Sequence, residues 1–127
     1  MKVLVTGGAG YIGSVTTEGL VDAGHDVVVY DNLLYGHRQA VHPKAVFQEG
    51  DLADRTRLRQ VFETHSPQAV MHFAAHSVVP MSMRDPLPFV RENVGNALNL
   101  LDVSSYWQWV VQGAIIILAV AFYWKQK

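Results

Sequence analysis

Thr6-Gly7-Gly8-Ala9-Gly10-Tyr11-Ile12-Gly13 follows directly on the apolar run Val3-Leu4-Val5 and leads into a helical pattern, so glycines recur as Gly-x-x-Gly-x-x-Gly. A glycine triad alone says little. Here a strand pattern precedes it, a helix pattern follows, and an acid, Asp31, closes the next apolar run Val27-Val28-Val29-Tyr30 about 20 residues on. Together these read as a dinucleotide-binding fingerprint. Gly7 permits a tight turn, Gly10 lets the backbone approach a pyrophosphate, and Gly13 lets the helix pack close to the strand. The phosphates then meet the free N–H groups and positive dipole end of the helix. The other reading of these glycines is a turn that merely joins strand to helix.

The end of the second strand bears on which dinucleotide is bound. Asp31 can accept hydrogen bonds from both hydroxyls of the adenosine ribose, and its charge repels a 2′-phosphate. The nearest following arginine is Arg38, several residues on. NAD is therefore favoured over NADP. Asp31 can also be read as a plain turn or cap residue before Asn32.

The chain has 127 residues, which allows one domain. Half of its residues are hydrophobic and its formal net charge is −1, a globular composition that argues against disorder and against a polyanion-binding surface. With no cysteine there is neither a disulfide framework nor a thiolate metal site. The start Met1 to Thr6 reaches glycine too soon for a secretory signal core, so a cytoplasmic location is expected.

Along the chain, Lys2 to Thr6 reads as a buried strand, and the helix after it carries Ile12, Val15, Leu20 and Val21 on one face, with Gly24 just beyond its end. Val27 to Tyr30 is a second strand, Asn32 to Lys44 a loop, and Val46-Phe47 opens a third strand ending at Glu49-Gly50-Asp51. Asp54 precedes a helix with Leu58, Val61 and Phe62 inward, and Ala69 to Phe73 is a fourth strand. Asp85 and Pro86 serve as N-cap and first residue of a helix whose face carries Val90, Val94, Ala97, Leu98 and Leu101. Strands alternating with helices imply right-handed crossovers and a parallel sheet, half of a doubly wound α/β domain.

Four segments resemble the extended short-chain dehydrogenases/reductases, and within them the UDP-glucose 4-epimerases: Thr6 to Gly13, Asp31-Asn32, Gly50-Asp51-Leu52, and His72-Phe73-Ala74-Ala75 with Glu92-Asn93-Val94. The resemblance covers about residues 1–102 and implies a truncated Rossmann-like unit binding NAD. It implies that Gly7, Gly10, Tyr11, Ile12 and Gly13 form the phosphate turn, Asp31 and Asn32 hold the ribose, and Asp51 and Leu52 contact adenine. Phe73, Ala74 and Ala75 would line the nicotinamide side, with Asn93 near the cofactor. Pro80-Met81-Ser82 departs from the Gly-Glu-Ser usual in the family, which alters the substrate-side loop. Members oxidise the C4 hydroxyl of a UDP-sugar by hydride transfer to NAD and return the hydride to the other face of the 4-keto sugar, interconverting UDP-glucose and UDP-galactose. A serine and a Tyr-x-x-x-Lys pair do the proton work. The resemblance implies a carbohydrate-metabolism isomerase, often a homodimer, with no nucleic-acid partner.

Beyond Asp102 the resemblance stops, and no counterpart of the catalytic serine and Tyr-x-x-x-Lys pair is expected. Tyr106 to Trp124 carries no charged residue and ends before Lys125 and Lys127. At 1.5 Å per residue its helix would be roughly 28 Å long, close to a bilayer's apolar thickness, with aromatics at both ends. Residues 103–127 resemble the C-terminal end of simple-sugar ABC transporter permeases. The tail is a candidate membrane segment, the alternative being packing on the sheet. Tyr123-Trp124-Lys125-Gln126-Lys127 matches the catalytic spacing only formally. The division expected is an NAD-binding half-domain, 1–102, and a hydrophobic helical tail, 103–127.

The six histidines are scattered without the spacing of a helical zinc site, so no metal is expected, and His72 and His76 read as loop or cofactor-side packing. Arg55, Arg57 and Arg59 read as a solvated helix face.

Overall fold

The computed structural model describes residues 1–77 and 79–101. Four parallel strands, β1 (Lys2–Thr6), β2 (Asp26–Asp31), β3 (Val46–Glu49) and β4 (Ala69–His72), lie in the order β3-β2-β1-β4. Val3 pairs with Val27 on one side of β1 and with Ala69 on the other. Helix α1 (Tyr11–Asp22) joins β1 to β2, and α2 (Arg55–His65) joins β3 to β4. After β4 come α3 (Val79–Arg84), α4 (Pro86–Val90), a π-helical turn (Arg91–Gly95) and α5 (Asn96–Leu101).

Successive side chains of a strand point to opposite faces, and a parallel sheet covered on both sides therefore needs apolar residues at consecutive positions. Leu4, Val28 and Tyr30 pack with Leu52, Leu58, Val61 and Leu100 on the side of α2 and α5. Val3, Val5, Val27 and Val29 pack on the other side with Leu20 and Val21 of α1. The predicted inward positions of α2 hold, with Leu58 and Val61 buried and Phe62 against the same core. Asp54 caps that helix by accepting from the Arg57 N–H at 3.0 Å.

Helix α1 presents only part of the face its apolar residues suggest, Leu20 and Val21 packing on the core as expected. Its buried residues are Gly13 and Thr17, four apart, while Ile12 and Val15 are exposed. The reason is the close approach of the first helical turn to the glycine loop: Gly13 must face the sheet side, and the helical period then carries Thr17 inward with it. The helix ends as predicted, Gly24 taking φ +82° beyond it.

Pro80-Met81-Ser82, expected in a substrate-side loop, lie in α3. Pro80 lies in its first turn, where the missing N–H has no helical partner to lose, and Pro86 ends it by disfavouring helical backbone at Asp85. The single helix expected after Asp85 starts where predicted but is interrupted by the π turn. One extra residue in that turn rotates everything after it, so Leu100 is buried at 8% exposure while Leu101 is 52% exposed. Val90 and Val94, expected inward, are exposed.

Arg57 does not belong to a solvated face: its guanidinium donates to the Gln48 side chain at 2.8 Å, tying α2 to β3. Among the described residues no helix is long and apolar enough to cross a membrane. Tyr106 to Trp124, the tail and the Tyr123/Lys127 spacing lie outside the described residues.

Thr6, fully buried, shares a hydrogen bond of 2.7 Å with His72 Nδ1 across the β1–β4 pair. Burial pushes the His72 imidazole below its ordinary pKa, so the folded state favours the neutral ring. The stability this contributes is present above the unfolded pKa of about 6.5 and is lost as pH falls through the lower folded value. Urea midpoints are expected to drop as pH is taken from 7 to 5. His72→Asn, which keeps an acceptor near Nδ1 and cannot titrate, is expected to flatten that drop; an unchanged pH profile would refute the assignment.

Candidate functional site

At the carboxyl ends of β1, β2 and β4 lies a cavity of about 450 Å³. Its place follows from the topology: β1 to β2 runs one way across the sheet and β3 to β4 runs back past β1, so the loops after β1 and β4 diverge and leave a crevice. All thirteen residues expected to hold the cofactor line it: Gly7, Gly10, Tyr11, Ile12, Gly13, Asp31, Asn32, Asp51, Leu52, Phe73, Ala74, Ala75 and Asn93.

The glycine turn forms its floor. Gly7 has φ +73°, and a Cβ there would meet the Phe73 and Ala74 backbone at 2.5–2.8 Å. A Cβ on Gly13 would overlap the Gly7 carbonyl oxygen. Gly10 differs: its backbone is extended, and a Cβ would meet only the Gly7 oxygen, at 3.3 Å. Of the three glycines, Gly10 is thus the one at which an added Cβ meets the least obstruction from the protein itself. No side chain caps α1, whose N-terminal N–H groups accordingly suit an anion.

Asp31 is 8% exposed and already employed on both oxygens. Oδ2 accepts from the Ala9 N–H at 2.9 Å and Oδ1 from the Leu33 N–H at 2.8 Å. One lone pair on each oxygen remains for a ribose hydroxyl. The carboxylate thus serves the turn, and its remaining lone pairs face no protein donor among the hydrogen bonds described.

The wall of the crevice beyond Asp31 is held by its own network. Asn32 donates to Asp51 Oδ2 at 2.7 Å and accepts from the Leu34 N–H at 3.0 Å, while Asp51 Oδ1 accepts from the Ala53 N–H. The Tyr30 hydroxyl donates to the Asp51 carbonyl at 2.9 Å. Burial, reinforced by the nearby Asp54 and Asp51 carboxylates, pushes its pKa up to about 12, which keeps that donor protonated. Arg38 stacks on the Phe47 ring 4.4 Å from its centroid, and Phe47 belongs to the core on the α1 side. Its cation is thus occupied away from the ribose pocket.

On the other flank, Asn93 binds one residue twice: its Oδ1 accepts from the His76 N–H at 2.7 Å and its Nδ2 donates to the His76 carbonyl at 2.9 Å. His76, read as loop or cofactor-side packing, lines the cavity, as do Gly50 and Glu92 of the resembling segments. Tyr30, Leu34, Tyr35, Gly36, Ser77 and Asn96 also line it and were not anticipated. A Cβ at Gly36 would meet Ala9 at 2.9 Å and one at Gly50 would run into the Tyr30 hydroxyl. The meeting of Tyr35 with His76 carried no sequence signal, because it depends on two loops far apart in the chain.

A parallel sheet with a glycine turn under a crevice at its switch point defines a Rossmann-like α/β unit. Residues 3–112 match the NAD dependent epimerase/dehydratase family, and the chain belongs to that family. It is 44% identical over 127 residues to the UDP-glucose 4-epimerase of Lacticaseibacillus casei, covering all of this chain and 38% of that protein. It is 50% identical over 105 residues to the UDP-glucose 4-epimerase of Lactobacillus helveticus, covering 83% and 32%. The crystal structure of UDP-glucose 4-epimerase from Brucella ovis in complex with NAD superposes with a TM-score of 0.76 at 48% identity, covering 80% of this chain and 31% of that one. The chain thus spans about a third of the length of the relatives it matches.

Proposed function

We propose that residues 1–102 are the NAD-binding part of a UDP-glucose 4-epimerase, acting on a UDP-sugar, and that 103–127 form a separate hydrophobic tail. The observation that carries the reading is the convergence of thirteen expected cofactor residues on one crevice. NAD, when bound, supplies hydride acceptance and return at the sugar C4. Gly10 and the α1 N-terminus would receive the pyrophosphate, Asp31 the ribose, and the Asn32–Asp51 pair the adenine end. Phe73, Ala74 and Ala75 would exclude water beside the nicotinamide. A cytoplasmic homodimer belongs to the same proposal and rests on the family resemblance alone.

Within residues 1–102 no tyrosine has a lysine four positions on, the spacing to which the family resemblance assigns the substrate proton. The second reading, an NAD-binding unit without catalysis, rests on that. In calorimetry the chain is expected to bind NAD and to prefer it over NADP, and in a coupled assay to leave UDP-galactose unchanged. A hybrid carrying the remainder of the Lacticaseibacillus casei enzyme from the position aligned with 102 is expected to turn UDP-galactose over. A hybrid that binds NAD yet shows no turnover would overturn the epimerase reading and leave the cofactor reading standing; NADP bound as tightly as NAD would overturn the role of Asp31.

A further inference from the structure

One contact joins the two flanks of the crevice. The Tyr35 ring, from the loop after β2, meets the His76 ring edge-on at 5.6 Å, and His76 meets Phe89 of α4 edge-on at 5.8 Å. Tyr35 and His76 both line the cavity, one from the Asp31 side and one from the Asn93 side.

Each partner is held from behind. The loop carrying Tyr35 is pinned at its start, where Leu33, at φ +58°, and Leu34 donate their N–H groups to Asp31 and Asn32. It is pinned again at its end, where the His37 N–H donates to the Ala9 carbonyl at 2.9 Å. Between these anchors the Tyr35 side chain remains 53% exposed. His76 is fixed at its backbone by both ends of the Asn93 amide. The backbones are thus set, and the rings are what can part.

We propose that Tyr35, His76 and Phe89 form an aromatic clasp across the crevice that sets how fast a dinucleotide enters and leaves. The proposal rests on the cofactor reading above. On this proposal a ligand reaching from the Asp31–Asp51 flank to the Phe73–Asn93 flank lies beneath the contact, which is closed in the free and the bound chain alike, so the rings must separate for exchange. Edge-to-face contacts of this kind are weak enough to open thermally and strong enough to change rates by about 3- to 10-fold each.

Stopped-flow fluorescence with NADH as the probe tests this on the 127-residue chain. Tyr35→Leu and His76→Leu are expected to raise both association and dissociation rates about 3- to 10-fold, with little change in Kd. The double variant is expected to be no faster than either single one, and Tyr35→Phe, which keeps the ring, to match the wild type. In the ligand-free chain, amide exchange at 33–37 and 76–77 is expected to rise together in both leucine variants. Unchanged rates in Tyr35→Leu, or an effect confined to dissociation, would overturn the clasp while leaving the cofactor site intact. Failure of the wild type to bind NADH would overturn the cofactor reading instead, and the exchange experiment would then decide whether the rings are coupled at all.

Discussion

Gly13→Val is expected to unfold the chain, whereas Gly10→Val is expected to leave it folded and unable to bind NAD. The two glycines stand three residues apart in one turn, but their surroundings differ. Around Gly13 a Cβ would overlap the Gly7 carbonyl oxygen and lie 2.8 Å from the Gly7 carbon and Gly8 Cα, all main-chain atoms that cannot rotate away. Relieving that overlap means separating α1 from the turn and uncovering the core on that side. A cost of about 3 kcal/mol or more is expected against a typical total stability of about 5–15 kcal/mol, of which a unit this small holds the lower part. At Gly10 the backbone is at φ −80° and ψ 174°, open to any L-residue, and only one contact is tight. Valine there would occupy the approach to the N-terminus of α1 and is expected to weaken NAD binding by about 100-fold, close to 3 kcal/mol. Urea unfolding and calorimetry on both variants check the pair. A Gly10→Val protein that binds NAD normally, or unfolds as readily as Gly13→Val, would refute this division of roles.

Asp31→Ala is expected to lower stability as well as NAD affinity, because the carboxylate serves the fold before any ligand arrives. Removing it strips an acceptor from the buried Ala9 N–H and another from the Leu33 N–H. Each donor left without a partner costs about 1–3 kcal/mol, so a loss of about 2–6 kcal/mol is expected. Asp31→Asn retains one acceptor oxygen and is expected to fall between the wild type and alanine in urea midpoint. Both variants are expected to lose discrimination against NADP, since the charge that repels a 2′-phosphate is gone. A wild-type midpoint for Asp31→Ala would show that the turn is not held by this carboxylate.

Much of this was legible in residues whose demands are local. The run Val3-Leu4-Val5, the glycine spacing and the acid after Tyr30 each act over a few bonds, and the strand-turn-helix they predict is the one observed. The positions Leu58, Val61 and Phe62 were readable because α2 is an uninterrupted helix with its cap in place. Where the period was broken the reading went astray: the π turn at Arg91–Gly95 moved burial from Leu101 to Leu100, and nothing in the local pattern marks an inserted residue. In α1, the apolar residues pointed to one face, of which the close packing of Gly13 left Ile12 and Val15 exposed.

The sequence by itself determined the parallel α/β architecture and the glycine turn that ends β1, because backbone freedom, side-chain period and the reach of a strand-turn-helix unit are properties of neighbouring residues; the other expected site residues came from the family resemblance. Only the tertiary structure decided which lone pairs of Asp31 are spent on Ala9 and Leu33, that Asn93 grips the backbone of His76, and that Tyr35 and His76 meet across the crevice. Those partners come together only when β2 and β4 take their places on either side of β1. Such contacts depend on chain separations over which local pattern carries no information.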